Sequence, residues 1–251
     1  MSTGAGTRRV VVITGAGGAL GAAVASRLGG EVDTDLVLSD VSESALGATV
    51  DALPAARGAV ETVLADVGVF EQVEAVVTRA VERYGRLDVL VSNAGVLPPN
   101  GRIHNLTTDD WDRVVRVNLL GAVHGIRAAV PVMRAQRSGS IILTASVAGL
   151  TAWSHAAPYC ATKAAVISLA KVAAVEYARD GIRVNCVCPG TFRSAIHDGL
   201  PAEALDAIAD RHPLGLGAPA DLAGAYGYLA GPDSRWTTGS ALVVDGGYSA
   251  P

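Results

Sequence analysis

The sequence is poor in cysteine, has no excess of basic charge, and contains no uninterrupted apolar stretch of membrane-spanning length. Each shortage removes a class of protein. The three cysteines, Cys160, Cys186 and Cys188, are an odd set without CxxC spacing. That argues against a disulfide framework or a thiolate metal clip, and for small core residues in a reducing cytoplasm. A net charge of −4 leaves no electrostatic footprint for nucleic acid. Crossing a bilayer takes roughly 20 consecutive apolar residues, so no membrane partner is expected. The leader MSTGAGTRR has no apolar segment behind its arginines and does not read as a secretion signal. No Pro/Ser-rich linker, charge block or internal repeat divides the chain.

What is present is a regular alternation of two patterns. Half of the 251 residues are hydrophobic, enough for a substantial core. Apolar, β-branched runs read as buried parallel strands at 9–15, 35–40, 61–66, 87–95, 140–146, 183–190 and 241–247. Helical spacing falls between them, with a helix after the glycines that follow the first strand, helices at 42–53 and 70–85, a long one at about 108–137, and another at 158–178. Ser42 is a candidate N-cap. Seven strands separated in this way require right-handed crossovers, which predicts one α/β domain over 1–251 with a doubly wound, seven-stranded parallel sheet covered by helices. In such sheets ligands bind outside the carboxyl ends of the strands.

The strand ends carry a consistent set of residues. Strand one ends in TGAGGALG, Thr14 to Gly21, where glycines allow a tight turn and close backbone approach to a pyrophosphate. The same turn also serves strand-to-helix packing, so alone it is an even choice. Strand two ends at Asp40, whose carboxylate can accept ribose hydroxyls or cap the next helix. Strand three ends at Asp66, which can meet an adenine amino group or act only as a cap. Strand four ends in SNAG, where Asn93 and Gly95 let the backbone run close to a flat ligand. Four such ends in succession outweigh any one of them.

Strand five ends at Ser146, and the next helix carries Tyr159 and Lys163 at i and i+4, on one face. A tyrosine with its ordinary pKa of about 10 is a poor base at neutral pH, and a nearby ammonium favours the phenolate. By itself YxxxK is a weak signal, since a rim tyrosine and a snorkelling lysine are common on amphipathic helices.

Taken together, the glycine-rich turn after strand one, NAG after strand four, Ser146 with Tyr159-x-x-x-Lys163, and Pro189-Gly190 after strand six resemble the short-chain dehydrogenase/reductase family over about 9–248. The resemblance implies a Rossmann fold, a nicotinamide dinucleotide, taken to be NAD, and a cytoplasmic homotetramer packed through its long helices. It makes Tyr159 the general acid/base and Lys163 the group that binds the nicotinamide ribose and lowers the tyrosine's pKa. Ser146 then bonds the substrate oxygen, and Asn118 supports a water linking the lysine to solvent. The cofactor-facing set becomes Gly15, Gly18, Leu20, Gly21, Asp40, Val41, Asp66, Val67, Asn93, Gly95, Tyr159, Lys163, Pro189, Gly190, Phe192 and Ser194. Four positions depart from the family pattern: Ala19 stands for the middle glycine, Ser92 for the first asparagine of NNAG, Ser194 for a threonine, and Leu216 for a basic residue.

The family's substrate lid falls at about 191–217. With Leu97, Trp153, His155, Phe192 and Ile196 as wall residues it suits a small to medium, largely apolar alcohol or ketone. His155 is expected to decorate the wall, and Arg193 can face a substrate carboxylate, a cofactor phosphate or solvent. Three functions follow: an NAD-dependent secondary-alcohol dehydrogenase or ketone reductase, a 3-oxoacyl thioester reductase, and a dinucleotide sensor without turnover. The lack of cations in the glycine loop and Val41 after Asp40 favour NAD over NADP.

Overall fold

The computed structural model describes residues 8–31, 33–54, 58–194 and 202–250. Its seven strands, β1 (Arg9–Thr14), β2 (Thr34–Asp40), β3 (Val60–Leu64), β4 (Val89–Ser92), β5 (Gly139–Thr144), β6 (Ile182–Pro189) and β7 (Ala241–Val244), form one parallel sheet in the order β3-β2-β1-β4-β5-β6-β7. The order reverses between β1 and β4, the switch point at which a crevice opens beyond the strand ends.

Side-chain alternation divides β1 between two cores. Val10 and Val12 join the core under α3 (Phe70–Tyr84), α5 (Gly121–Gln136) and α6 (Ala157–Tyr177). Val11 and Ile13 join the core under α1 (Ala19–Gly29), α2 (Glu43–Ala52) and α8 (Pro219–Ala230). Cys186 and Cys188 share the α6 side, as their spacing predicts, and both thiols are buried and free. By length and composition α6 could cross a membrane; here it lies against the sheet, with Val166, Ile167, Ala170, Ala173 and Ala174 in the core.

The elements differ from the sequence reading at several points; β3, β5 and β7 stop at Leu64, Thr144 and Val244, which leaves Asp66 and Ser146 in the loops beyond their strands. The predicted helix over 108–137 is α4 (Thr108–Val114) and α5 joined by a π-helical turn, Val115–Leu120, which contains Asn118. Such turns recur at functional sites because they re-aim one side chain. Strand four stops at Ser92, because the Asn93 N–H leaves the ladder and donates to Thr14 Oγ1 (3.1 Å). Helix α7 (Ala202–Ala209) and helix α8 were not predicted. α8 is hydrophobic nearly all round, so periodicity hides it, although Pro219 at its start is a usual opening signal. Part of the expected lid, with Ile196, lies outside the described residues.

Candidate active site and dinucleotide crevice

The glycine turn is shaped by two contacts. Gly15 has φ +64°, and a Cβ there would stand 2.6 Å from the Ala94 Cα. At Gly21 a Cβ would stand 2.1 Å from the Gly15 carbonyl oxygen, so α1 packs on the turn only with glycine at that position. Gly18 is different: its Cβ would meet the same oxygen at 3.5 Å, an ordinary contact. Gly18 is the N-cap of α1, which has no side-chain cap and no acidic residue in its first turn. Its leading N–H groups are therefore free to face an anion. Ala19 is the exposed first residue of α1, and the helix forms with alanine there. Leu20 turns its side chain into the core.

Asp40 is not the cap of α2. Ser42 is, accepting from Ala45 N–H (3.2 Å). The Asp40 carboxylate instead accepts from Gly17 N–H (3.0 Å) and Ser42 N–H (3.1 Å), tying the glycine turn to the end of β2. Val41 beside it is 70% exposed. Asp66 does not cap α3 either. It accepts from Gly68 N–H (2.8 Å) and from Arg116 Nη1 (2.6 Å), and the guanidinium bond is the main reason its carboxyl is held below the usual range. This pairing across fifty residues had no sequence signal. Val67 is buried, and its carbonyl oxygen lies 2.9 Å from His124 Nδ1.

Asn93 donates from Nδ2 to the carbonyls of Thr14 (3.2 Å) and Gly15 (3.1 Å), pinning the end of β1 to the end of β4. The buried Asn118 side chain is fully engaged with Val96: Oδ1 accepts from Val96 N–H (2.8 Å) and Nδ2 donates to Val96 O (2.9 Å). Asn118 thus fixes the chain just beyond Gly95. A Cβ on Gly95 would lie 3.4 Å from both Asn118 Oδ1 and Lys163 Nζ, so this glycine marks where the β4 loop meets the lysine.

Tyr159 and Lys163 share one face of α6, and Ser146 lies near the phenol just beyond the end of β5. Ser146 is buried; its Oγ accepts from Ala148 N–H (3.1 Å), and its hydroxyl lies near enough to the Tyr159 phenol to act on its pKa. Burial pushes the Tyr159 phenol above its ordinary pKa, and the Ser146 hydroxyl works in the opposite direction. Lys163, only 3% exposed, is brought down to about 8 by burial. Its Nζ donates to the Thr144 carbonyl (2.7 Å) and stands 5.6 Å from the centroid of the Tyr159 ring. The ammonium is turned to a backbone carbonyl, and the desolvation of the phenol dominates.

Trp153 stacks on Tyr159 (centroids 6.0 Å apart, planes at 23°) and meets Tyr248 edge-on at 6.3 Å. Tyr248 packs on His212 at 4.8 Å and bonds Arg211 through its hydroxyl (2.6 Å). His212 Nε2 accepts from Thr191 N–H (3.1 Å), joining this wall to the segment after β6. A cavity of about 420 Å³ lies beside it, lined by Thr151, Ala152, Asp210, Arg211, Pro213 and Tyr248. The sequence reading named Trp153 and Tyr159 and missed Arg211, His212 and Tyr248 as wall residues; they belong to no motif. His155 is exposed and in a left-handed conformation, with its Nδ1 2.8 Å from Ser154 Oγ. Leu97 is on the surface, at 37% exposure.

After β6, Pro189 ends the strand and a Cβ on Gly190 would collide with the Asp245 Cα at 2.6 Å. Phe192 pairs as an isolated parallel bridge with Gly217 and packs against the core under α8, with Ser194 two residues on.

Comparison with known proteins agrees with this geometry. Residues 15–249 match the family model described as enoyl-(acyl carrier protein) reductase. The chain is 39% identical over 246 residues to cis-4-hydroxycyclohexanecarboxylate dehydrogenase of Sinomonas cyclohexanicum, covering 96% of this chain and 97% of that one. The crystal structure of levodione reductase superposes with a TM-score of 0.91 at 34% identity, over 96% of this chain and 98% of the other. The chain belongs to the short-chain dehydrogenase/reductase family. A 3-oxoacyl-[acyl-carrier-protein] reductase of Thermotoga maritima is 35% identical over 240 residues, covering 95% and 97% of the two chains. Members of this short-chain dehydrogenase/reductase family use a nicotinamide dinucleotide, and the residues here fit one. The uncapped N-terminus of α1, the exposed Gly18, the Asp40 carboxylate and the Gly95 backbone all lie beyond the carboxyl ends of β1, β2 and β4, around the switch point.

Proposed function

We propose that this short-chain dehydrogenase/reductase is an NAD-dependent oxidoreductase that interconverts a secondary alcohol and a ketone, with Tyr159 as general acid/base. The observation that carries the reading is the convergence of Tyr159 and the buried Lys163, one helical turn apart on α6, with the buried Ser146 just beyond the end of β5. The nicotinamide, when bound, accepts or supplies the hydride. The chain's own residues handle the oxygen. Ser146 bonds the substrate oxygen and fixes its position, and Tyr159 gives it a proton in reduction or removes one in oxidation. Lys163 binds the ribose, and its charge lowers the cost of forming the phenolate. Trp153 and Tyr248 wall the substrate off from water on one side. Asp40 suits the unphosphorylated ribose of NAD, because a carboxylate repels the additional phosphate of NADP.

A 3-oxoacyl thioester reductase is the second reading, favoured by the relative in Thermotoga maritima. A panel of acyclic and cyclic secondary alcohols with NAD, read by NADH absorbance, tests between the two. Turnover of ring alcohols is expected. Activity confined to 3-oxoacyl thioesters with NADPH would replace the first reading by the second.

A further inference from the structure

Tyr226, on α8, is the largest fully buried side chain described in the molecule, and the proposed chemistry makes no use of it. Its hydroxyl is 2.8 Å from Thr144 Oγ1, and burial pushes its pKa well above the ordinary tyrosine value, so it stays a neutral phenol. The direction of this bond follows from its neighbours. Both hydrogens of the Asn93 amide go to backbone carbonyls, Thr14 O and Gly15 O, which only accept. Asn93 Oδ1 must therefore face Thr144, whose hydroxyl donates to it at 3.3 Å. Thr144 Oγ1 has spent its one hydrogen, so Tyr226 is the donor. The polarity of the chain from Tyr226 through Thr144 to Asn93 is fixed from end to end.

Thr144 is also where the two faces of the sheet meet. Its hydroxyl points to α8, whereas its carbonyl accepts from Lys163 on α6, across the sheet. The next N–H, of Ala145, is bound to Val187 O (2.8 Å), so the Thr144–Ala145 peptide is held at both ends. We propose that Thr144, oriented by Tyr226, is a positioning residue that couples the glycine turn to the catalytic lysine. The hydroxyl sets Asn93 and through it the carbonyls of Thr14 and Gly15, and the carbonyl sets the ammonium. Neither Thr144 nor Tyr226 touches a reacting atom.

This inference rests on the reading of Lys163 and the glycine turn as the dinucleotide site. The test compares Thr144→Val, Thr144→Ser and Tyr226→Phe for NADH affinity by titration calorimetry, with melting temperature measured alongside. Thr144→Val removes the donor to Asn93 and strands the Tyr226 hydroxyl in the core. It is expected to weaken NADH about tenfold, the scale of one lost buried hydrogen bond plus an unpaired partner. Thr144→Ser keeps both bonds and stays within about twofold of the parent. Tyr226→Phe, which keeps the ring and its packing, weakens NADH about threefold and adds nothing further in the Thr144→Val background. Equal affinity in the parent and Thr144→Val, Thr144→Ser as weak as Thr144→Val, or independent losses from Thr144→Val and Tyr226→Phe would each overturn the coupling. If Thr144→Val does not fold, Tyr226→Phe decides the matter by itself, since unchanged NADH affinity there refutes the orienting role. Failure of the parent to bind NADH or NADPH would instead refute the dinucleotide reading.

Discussion

Replacing Lys163 by methionine should make the protein more stable at neutral pH while removing its activity. Lys163 is 3% exposed, and burial lowers its pKa from 10.5 to about 8. A shift of that size corresponds to about 3 kcal/mol of penalty on the charged form, at about 1.4 kcal/mol per pKa unit. Methionine fills a similar volume without the charge, but it leaves the Thr144 carbonyl without its donor, which costs about 1–3 kcal/mol. The net gain at pH 7 is therefore about 1 kcal/mol, and the sharper signature is its pH dependence. Below pH 8 the lysine is protonated in both the folded and the unfolded chain, so the penalty is constant. Between 8 and 10.5 the unfolded chain binds more protons, and the parent gains stability as pH rises; the variant does not. Other titrating groups are common to both proteins and cancel in the difference. Urea unfolding of both at pH 7, 8, 9 and 10 should show the advantage of Lys163→Met falling by about 2 kcal/mol across the series. A difference that stays flat from pH 7 to 10 would mean that the buried ammonium carries no penalty, and the reasoning would fail.

Tyr159→Phe should keep dinucleotide affinity and lower kcat by about two orders of magnitude or more, since it removes the phenol proposed to exchange the proton with the substrate oxygen; stopped-flow and steady-state rates check this. NAD should exceed NADP by more than tenfold in kcat/KM. A phosphate about 4 Å from Asp40 costs on the order of 4 kcal/mol at an effective dielectric near 20, and a third of that is tenfold. Asp40→Ala combined with Val41→Arg should narrow or reverse the preference, and equal efficiencies in the parent would count against Asp40. The two glycines of the turn should separate fold from ligand. Gly21→Ala drives a methyl into the Gly15 carbonyl and should lower the melting temperature by several degrees, whereas Gly18→Ala, with ordinary contacts and φ −78°, should leave it unchanged yet weaken NADH. Loss of stability in Gly18→Ala would show that the exposed space at Gly18 belongs to the protein's own packing.

The architecture and the central side chains were written in the sequence because they depend on local periodicity and fixed spacing. Apolar runs cut by glycine gave the seven strands, and i, i+4 on a helix brings Tyr159 and Lys163 to one face whatever surrounds them. Gly15 and Gly21 were legible for the same reason, since backbone conformation and close approach act on the residue itself. Tertiary structure decided the rest. The π turn at Asn118 depends on the side chain reaching Val96, and the roles of Asp40 and Asp66 depend on which donors arrive from the glycine turn and from Arg116. The charge states were not local either. Spacing puts an ammonium near a phenol, but the depth of burial and the Thr144 carbonyl determine where the ammonium points and how strongly each group holds its proton. The Tyr226–Thr144–Asn93 chain joins α8, β5 and the loop after β4, which are far apart in sequence. A hydrogen bond between them has no periodicity to announce it, because its existence depends only on where the folded sheet and α8 bring them together.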